Sequence, residues 1–340
     1  MNQPVLNISW GTIFKILIVV ILGYVLFVIK DILVWFIFAL MIGILFNFVV
    51  DYLARKKIPR VLSALVLYLA VFALLSLFIY KTAPILLVEF KDFAVNFPGY
   101  LSKISPVFEK FGVESFKSAE SLIQATQDNL ELAGKSIFNA LFSIFGGASA
   151  SILVIIMAFF VSIEKRFVER VLAAFCPEGK KEYVFHIWEK AKSKVSGWFI
   201  TRIIGVLFVG SATFLTLSIL NVRYAFLLAL LAGILDFLPI VGPIVAGAFI
   251  TILVALSSPL QALFVLVALI LIQFLENNLI FPLLFKKFIG ISPVLVLIAL
   301  AVGGKLWGVT GAILAIPLAG VLFEVLKDYL AKTRQEKANV

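Results

Sequence analysis

The stretch Leu230–Leu256, LLAGILDFLPIVGPIVAGAFITILVAL, constrains the fold most, because two apolar arms flank a polar break at Asp236-Phe237-Leu238-Pro239-Ile240-Val241-Gly242-Pro243. Extended back to Tyr224, the run is 33 residues long, or about 50 Å as a single helix. A bilayer core is about 30 Å thick, so one straight helix is too long and two full spans would be too short. Pro239 and Pro243 each remove a backbone donor, and Gly242 allows dihedrals that end a helix. Two readings follow: a re-entrant hairpin with its tip inside the membrane, or a proline-kinked span followed by a tight loop. The hairpin reading is preferred. Non-helical backbone at that depth survives only when buried in protein or lining a wet cavity, and the tip carries Asp236, an ionisable group in an expensive place.

Composition sets the class. The chain of 340 residues is 63% hydrophobic with a mean hydropathy of +1.14, well above the roughly 45–50% apolar share of soluble domains. The expected fold is therefore an all-α polytopic membrane protein of about eight membrane segments, two of them interrupted or re-entrant hairpins, with added amphipathic surface helices. The formal charge of +10 sits in short loops beside apolar spans. That is the positive-inside pattern of a membrane protein and argues against a nucleic-acid partner.

In order, spans are expected at Thr12–Ile29, Ile32–Val50 and Val61–Tyr80, giving three transmembrane helices within residues 1–80. The first has little positive charge before it and no small-residue cleavage site, so it reads as a retained span. The loop Asp51–Arg60 holds four basic residues against one acid. It reads as cytoplasmic and places the N-terminus inside. Residues 81–135 carry six Lys against seven Asp and Glu, with apolar residues at helical spacing in three sets. Phe90, Phe93 and Phe97 form one, Leu101, Ile104, Phe108 and Phe111 another, and Phe116 to Ile137 the third. They predict extracytoplasmic amphipathic helices broken near Pro98-Gly99 and Pro106.

A fourth span is expected within 136–163, with Gly146-Gly147-Ala148-Ser149-Ala150 as a small-residue contact face. Residues 164–197 hold a basic amphipathic helix at the cytoplasmic surface, carrying the single histidine, His186, as an interfacial side chain. Residues 198–326 form the candidate transport core. It opens with a fifth span, Trp198–Leu220, whose Arg202 lies near the cytoplasmic end and is expected to snorkel. The tail 327–340 is expected in the cytoplasm.

Within the core, the span Pro259–Phe285 carries Gln273, Glu276, Asn277 and Asn278. The bland role for such a cluster is interhelical hydrogen bonding. Glu276 tilts the reading towards function, because a carboxylate inside a membrane is costly unless paired or protonated. The last apolar stretch, Pro293–Leu326, is again too long for one span and breaks at Gly303–Gly311. Laid against the first break, Leu238, Val241 and Ala246 fall in register with Leu306, Val309 and Leu314. Two interrupted hydrophobic segments are the best sequence pointer to a transporter's substrate site. Eight full spans would put Lys286 and Lys287 outside, whereas six spans plus two hairpins would put them in the cytoplasm, the arrangement the length argument favours.

These interrupted segments resemble those of the autoinducer-2 exporter (AI-2E) family. The similarity is carried by Asp236, Pro239, Gly242 and Pro243, then Glu276, Asn277, Pro282 and Pro293, then Gly303, Gly304, Gly308, Gly311 and Pro317. Pro59-Arg60, Phe97-Pro98 and Pro177 also fit. The chain departs from the family pattern at Thr201-Arg202, where a small residue and Gln are expected. The resemblance implies a permease-like transporter in the cytoplasmic membrane, assembled as a homo-oligomer, with a pentamer the expected number. It leaves the substrate open between the signalling molecule and an ion.

With no P-loop, one His and one Cys, the chain offers no ATP-driven step, metal cluster or nucleophile–base pair. Cofactors are expected to be none. A secondary transporter, exporter or ion-coupled antiporter, is the reading adopted; a passive channel or scaffold and an intramembrane acid/base enzyme are the alternatives. Candidate substrate- or ion-binding residues are Asp236, Pro239, Gly242, Pro243, Gln273, Glu276, Asn277, Gly304, Lys305 and Gly308. Asp236 and Glu276 serve as proton or cation ligands and Lys305 as an internal counter-charge. The expected partners are a small solute or ion, membrane lipids and further copies of the chain.

Overall fold

Long apolar helical runs, interrupted only by proline, glycine and basic turns, leave the backbone one way to satisfy its polar groups in lipid, and the chain takes it. The computed structural model describes residues 10–110, 147–164, 166–177, 179–285 and 292–338. Every regular element among them is helical. The amphipathic set from Phe116 to Ile137, the start of the fourth span at Phe138 and the Lys286-Lys287 pair lie outside the described residues.

In chain order the helices are α1 (Trp10–Val28), α2 (Lys30–Arg55), α3 (Arg60–Lys110), α4 (Ala148–Ile163), α5 (Phe167–Phe175) and α6 (Lys181–Ile219). There follow α7 (Ala225–Asp236), α8 (Val241–Ala255), α9 (Pro259–Leu275), a π-helical turn (Glu276–Ile280), α10 (Phe281–Phe285) and α11 (Pro293–Ala338). Six helices among the described residues are long and apolar enough to cross a membrane, and three shorter apolar helices accompany them. The protein is an all-α polytopic membrane protein. Its outside is apolar: α1 buries none of its residues, as expected of a helix whose solvent is lipid.

Two expectations are corrected. First, α3 runs unbroken from Arg60 to Lys110, through the expected breaks near Pro98-Gly99 and Pro106. Each proline removes a single donor from the ladder, and a helix with an exposed flank can leave the freed carbonyl to its surroundings. Second, the basic amphipathic segment is not separate from the fifth span. After the short α5, one 39-residue helix, α6, carries both, because the only potential helix breaker between Lys181 and Trp198 is Gly197, which is buried. Arg202 therefore sits 21 positions into a helix, not near its end.

Both interrupted segments fold as hairpins. In the first, α7 and α8 span 12 and 15 residues, about 18 and 22 Å, each shorter than a bilayer core. Ile240, at φ 69°, reverses the chain between them, and a Cβ on Gly242 would collide with the Leu235 backbone. In the second, α11 is divided at Trp307 (φ −141°) and Gly308 (φ 61°). A Cβ on Gly303 would strike the Gly311 backbone and come 2.5 Å from the Ala315 Cβ. Residues twelve apart lie about 18 Å apart on a straight helix, so the arms run back against each other.

Helix α6 is the axis of this arrangement. A Cβ on Gly233 of α7 would lie 3.0 Å from the Val206 carbonyl and 3.2 Å from Gly210 Cα, so α6 and α7 cross at backbone contact, as small residues permit in membranes. Trp198 packs edge-on against Phe237, ring centroids 5.5 Å apart. Phe237 and Leu238 of the first tip lie against the core cluster that also holds Leu300, Ala312 and Ile316 of the second hairpin.

Polar ties close both ends. Arg60 donates to the Ser162 and Ile163 carbonyls at 2.9 Å and to Asn47 Oδ1 at 2.7 Å, and it pairs with Asp51. It thus satisfies carbonyls left over at the end of α4 while joining α2, α3 and α4. Lys190 of α6 reaches Asp328 of α11 at 2.7 Å. At the other end, Arg223 pairs with Asp92 at 2.7 Å, and the Leu227 amide, in the first turn of α7, donates to Glu89 at 2.7 Å.

Candidate functional site

The polar tip of the first hairpin and the polar cluster of the following helix meet on α6. Asp236 is the last residue of α7 and is 1% exposed. Its position is doubly unfavourable for an anion: it is out of water and at the negative end of a helix. Glu276, also 1% exposed, opens the π-helical turn Glu276–Ile280. Pro282 explains that turn. It offers no N–H to the Asn278 carbonyl, and its ring would press on that carbonyl, so the helix widens by one residue there. The Nδ2 atoms of Asn277 and Asn278 donate to the Gln273 and Phe274 carbonyls at 2.9 Å.

A third charge completes the site. Arg202 is 7% exposed, and the snorkelling expected of it does not occur. Its Nη1 donates to the Asp236 carbonyl at 3.3 Å and lies 4.0 Å from Glu276 Oε1. The guanidinium stacks over the Phe281 ring at 4.5 Å from the centroid, a cation–π contact that holds it in the site. Gln273 Nε2 donates to Asp236 Oδ1 at 3.4 Å. Glu276 Oε1 and Asp236 Oδ2 both lie against Gly205, 2.8 and 3.3 Å from where a Cβ would sit. Neither oxygen, nor Arg202 Nε, makes a hydrogen bond of sound geometry. Three buried ionisable groups with unused polar atoms are costly for stability alone, and such clusters inside apolar segments mark ion or solute pathways.

Above these groups opens a cavity of about 490 Å³, walled by Pro239 and Pro243 of the break and by Leu266 and Ile270 of α9. Its charged lining consists of Arg202, Asp236 and Glu276. The volume suits a small solute, and the mostly apolar wall with a few converging polar groups is the usual form of a ligand site. A second, more polar cavity of about 690 Å³ lies on the other side of α6, lined by Asp51, Arg60, Lys192 and Thr201 among others. Consecutive residues of one helix, Thr201 and Arg202, therefore face separate cavities.

Of the residues singled out in the sequence, Asp236, Pro239, Pro243, Gln273, Glu276 and Asn277 are gathered around the smaller cavity. Gly242 is packed inside the first hairpin, against Leu235. Gly304, Lys305 and Gly308 lie at the second break, apart from this cavity, and Lys305 is exposed. The cation that the fold brings beside Asp236 and Glu276 is Arg202. Sequence reasoning missed it and Gly205; the signal available was the departure at Thr201-Arg202, a polar position inside an apolar run.

The model of a family described as AI-2E family transporter matches residues 16–331. YueF of Bacillus subtilis (strain 168) is 27% identical over 291 residues, covering 82% of this chain and 79% of its own. YrrI of the same organism is 25% identical, with 99% of each chain covered. The AI-2 transport protein TqsA of Escherichia coli (strain K12) is 24% identical over 336 residues, 94% of this chain and 92% of its own.

Proposed function

Because the chain belongs to the AI-2E transporter family, whose members are membrane transport proteins, we propose that it is a secondary transporter with its binding site at the Arg202–Asp236–Glu276 cluster. The observation that carries this reading is the cluster's place: three buried charges under a solute-sized cavity, two of them held by breaks in apolar helices. A scaffold has no use for such a group, since apolar residues of similar size would pack there at no greater cost. Uptake or release of a positive charge by the carboxyl pair changes the net charge beside the cavity, and so couples an ion gradient to whatever the cavity holds. On this reading the tip of the first hairpin, which walls the cavity, is the moving or yielding part of an alternating-access cycle.

The solute is small, and autoinducer-2 is one candidate because TqsA is named for its transport. The protein works in the cytoplasmic membrane with both termini inside, and as a homo-oligomer. Apolar faces such as that of α1 lie against lipid or neighbouring copies. The test is flux in proteoliposomes under defined sodium and proton gradients, with candidate solutes inside. Saturable flux that follows a gradient supports a carrier. Flux that never saturates identifies a channel, and chemical turnover without flux identifies an enzyme.

A further inference from the structure

The guanidinium of Arg202 stands where a bound metal cation would find its oxygens. The Asp236 carbonyl, free at the end of α7, is taken by Nη1 at 3.3 Å, and Glu276 Oε1 faces the same nitrogen at 4.0 Å. Gln273 turns its amide nitrogen, a donor, towards Asp236 Oδ1, so it offers no ligand on that side. The Phe281 ring closes over the guanidinium. On α6 itself Gly205 lets both carboxyls lie against the backbone, which leaves them close to each other and to the arginine. From these contacts we infer that Arg202 is a tethered cation occupying the metal position, so that the Asp236–Glu276 pair exchanges protons and does not bind sodium or another alkali cation.

Charge counting gives the same result. The charged lining consists of the pair itself, Asp236 from α7 and Glu276 from the π-helical turn, and the Arg202 guanidinium from α6 that faces it. With both carboxyls ionised the cluster carries one net negative charge in a buried place, and one proton neutralises it. Two oxygens without sound hydrogen bonds, Asp236 Oδ2 and Glu276 Oε1, are positioned to share that proton, because a protonated carboxyl donates where two carboxylates can only accept. A metal ion would have to enter beside a fixed positive charge that is itself shielded from water, where repulsion is strong.

This inference rests on reading the cavity as a transport site, but its test does not use transport. Sodium-22 binding is measured on purified wild type, R202K and R202Q in detergent, with proton release on sodium addition followed in weakly buffered solution. Wild type and R202K bind no sodium saturably and release no protons. R202Q binds sodium saturably, retaining at least about tenfold more than wild type at the same free concentration, releases protons as it does so, and loses both responses when E276Q is added. Saturable sodium binding by wild type overturns the inference, as does an R202Q protein that elutes like wild type yet binds none. If R202Q does not elute as a single species, R202M replaces it in the comparison, and the wild-type measurement still decides against the inference whenever sodium binds. Failure of flux in liposomes would remove the carrier reading and leave this result untouched.

Discussion

The Arg202 guanidinium lies 4.0 Å from Glu276 Oε1 across the contact between α6 and the π-helical turn, with both side chains buried. One cation set between two carboxyls makes single and double substitutions behave differently. Removing one carboxylate leaves an arginine–carboxylate pair of zero net charge. Removing both leaves an unpaired buried charge, whose cost is about 3–5 kcal/mol.

Glu276→Gln and Asp236→Asn are each expected to assemble, elute and melt close to wild type while abolishing gradient-driven flux. The motive is that each removes the proton-exchanging partner without stranding Arg202. Liposome flux with and without an imposed pH gradient is the measurement. Wild-type rates and wild-type ion dependence in both variants would reduce the two carboxyls to structural groups.

The double variant Asp236→Asn/Glu276→Gln is expected to lose thermal stability in detergent well beyond the sum of the singles, because Arg202 then has no counter-ion. Adding Arg202→Gln to it should restore much of the loss. Melting followed by size-exclusion profile reads both steps. A double variant as stable as the singles would mean that Arg202 reaches water, contrary to its burial.

Gly205→Ala is expected to impair flux through the site more than through the fold. Its new methyl would lie 2.8 Å from Glu276 Oε1 and 3.3 Å from Asp236 Oδ2, so both carboxyls must move. Gly23→Ala is the control: nothing lies within 4 Å there, and alanine favours the helix by up to about 1 kcal/mol. Comparable flux for the two variants would show that the carboxyl positions do not matter.

The all-helical membrane class, the two interrupted segments and the choice of Asp236 and Glu276 as candidate residues were legible in the sequence, because each rests on a local signal; that the fold brings the two carboxyls together was not. Apolar runs longer than a bilayer, prolines and glycines between apolar arms, and carboxylates inside those runs can all be read along the chain. Arg202 was not legible as a site residue. Its environment depends on which face of α6 meets α7, and on α6 starting at Lys181 rather than Trp198. That continuity hides in a segment whose polar residues look like a separate surface helix. The unbroken course of α3 through Pro98 was missed for a related reason: a proline's local cost predicts a break, while the rest of the helix carries on around it. Lys305, which the sequence places within the second break, is exposed and does not line the cavity.

The last prediction concerns the second hairpin, where a continuous helix and a reversed chain differ by a covalent bond. A Cβ on Gly304 would stand 4.0 Å from the Ala312 Cβ, within the roughly 3.5–4.5 Å separation a disulfide needs. On an uninterrupted helix the same two residues, eight positions apart, would be about 12 Å from each other. Gly304→Cys/Ala312→Cys in a Cys176→Ser background is therefore expected to form an intramolecular disulfide on mild oxidation, seen as loss of both thiols to alkylation in the monomeric band. Gly304 tolerates the change because its surroundings are open, whereas Gly311→Ala should destabilise the arm by driving its methyl into the Gly303 backbone. Gly308→Ala should cost a further 1–3 kcal/mol or so through its left-handed backbone alone. Two thiols that remain fully alkylatable under oxidation would mean that the chain does not reverse at Trp307-Gly308, and that the second apolar stretch crosses as a single kinked helix.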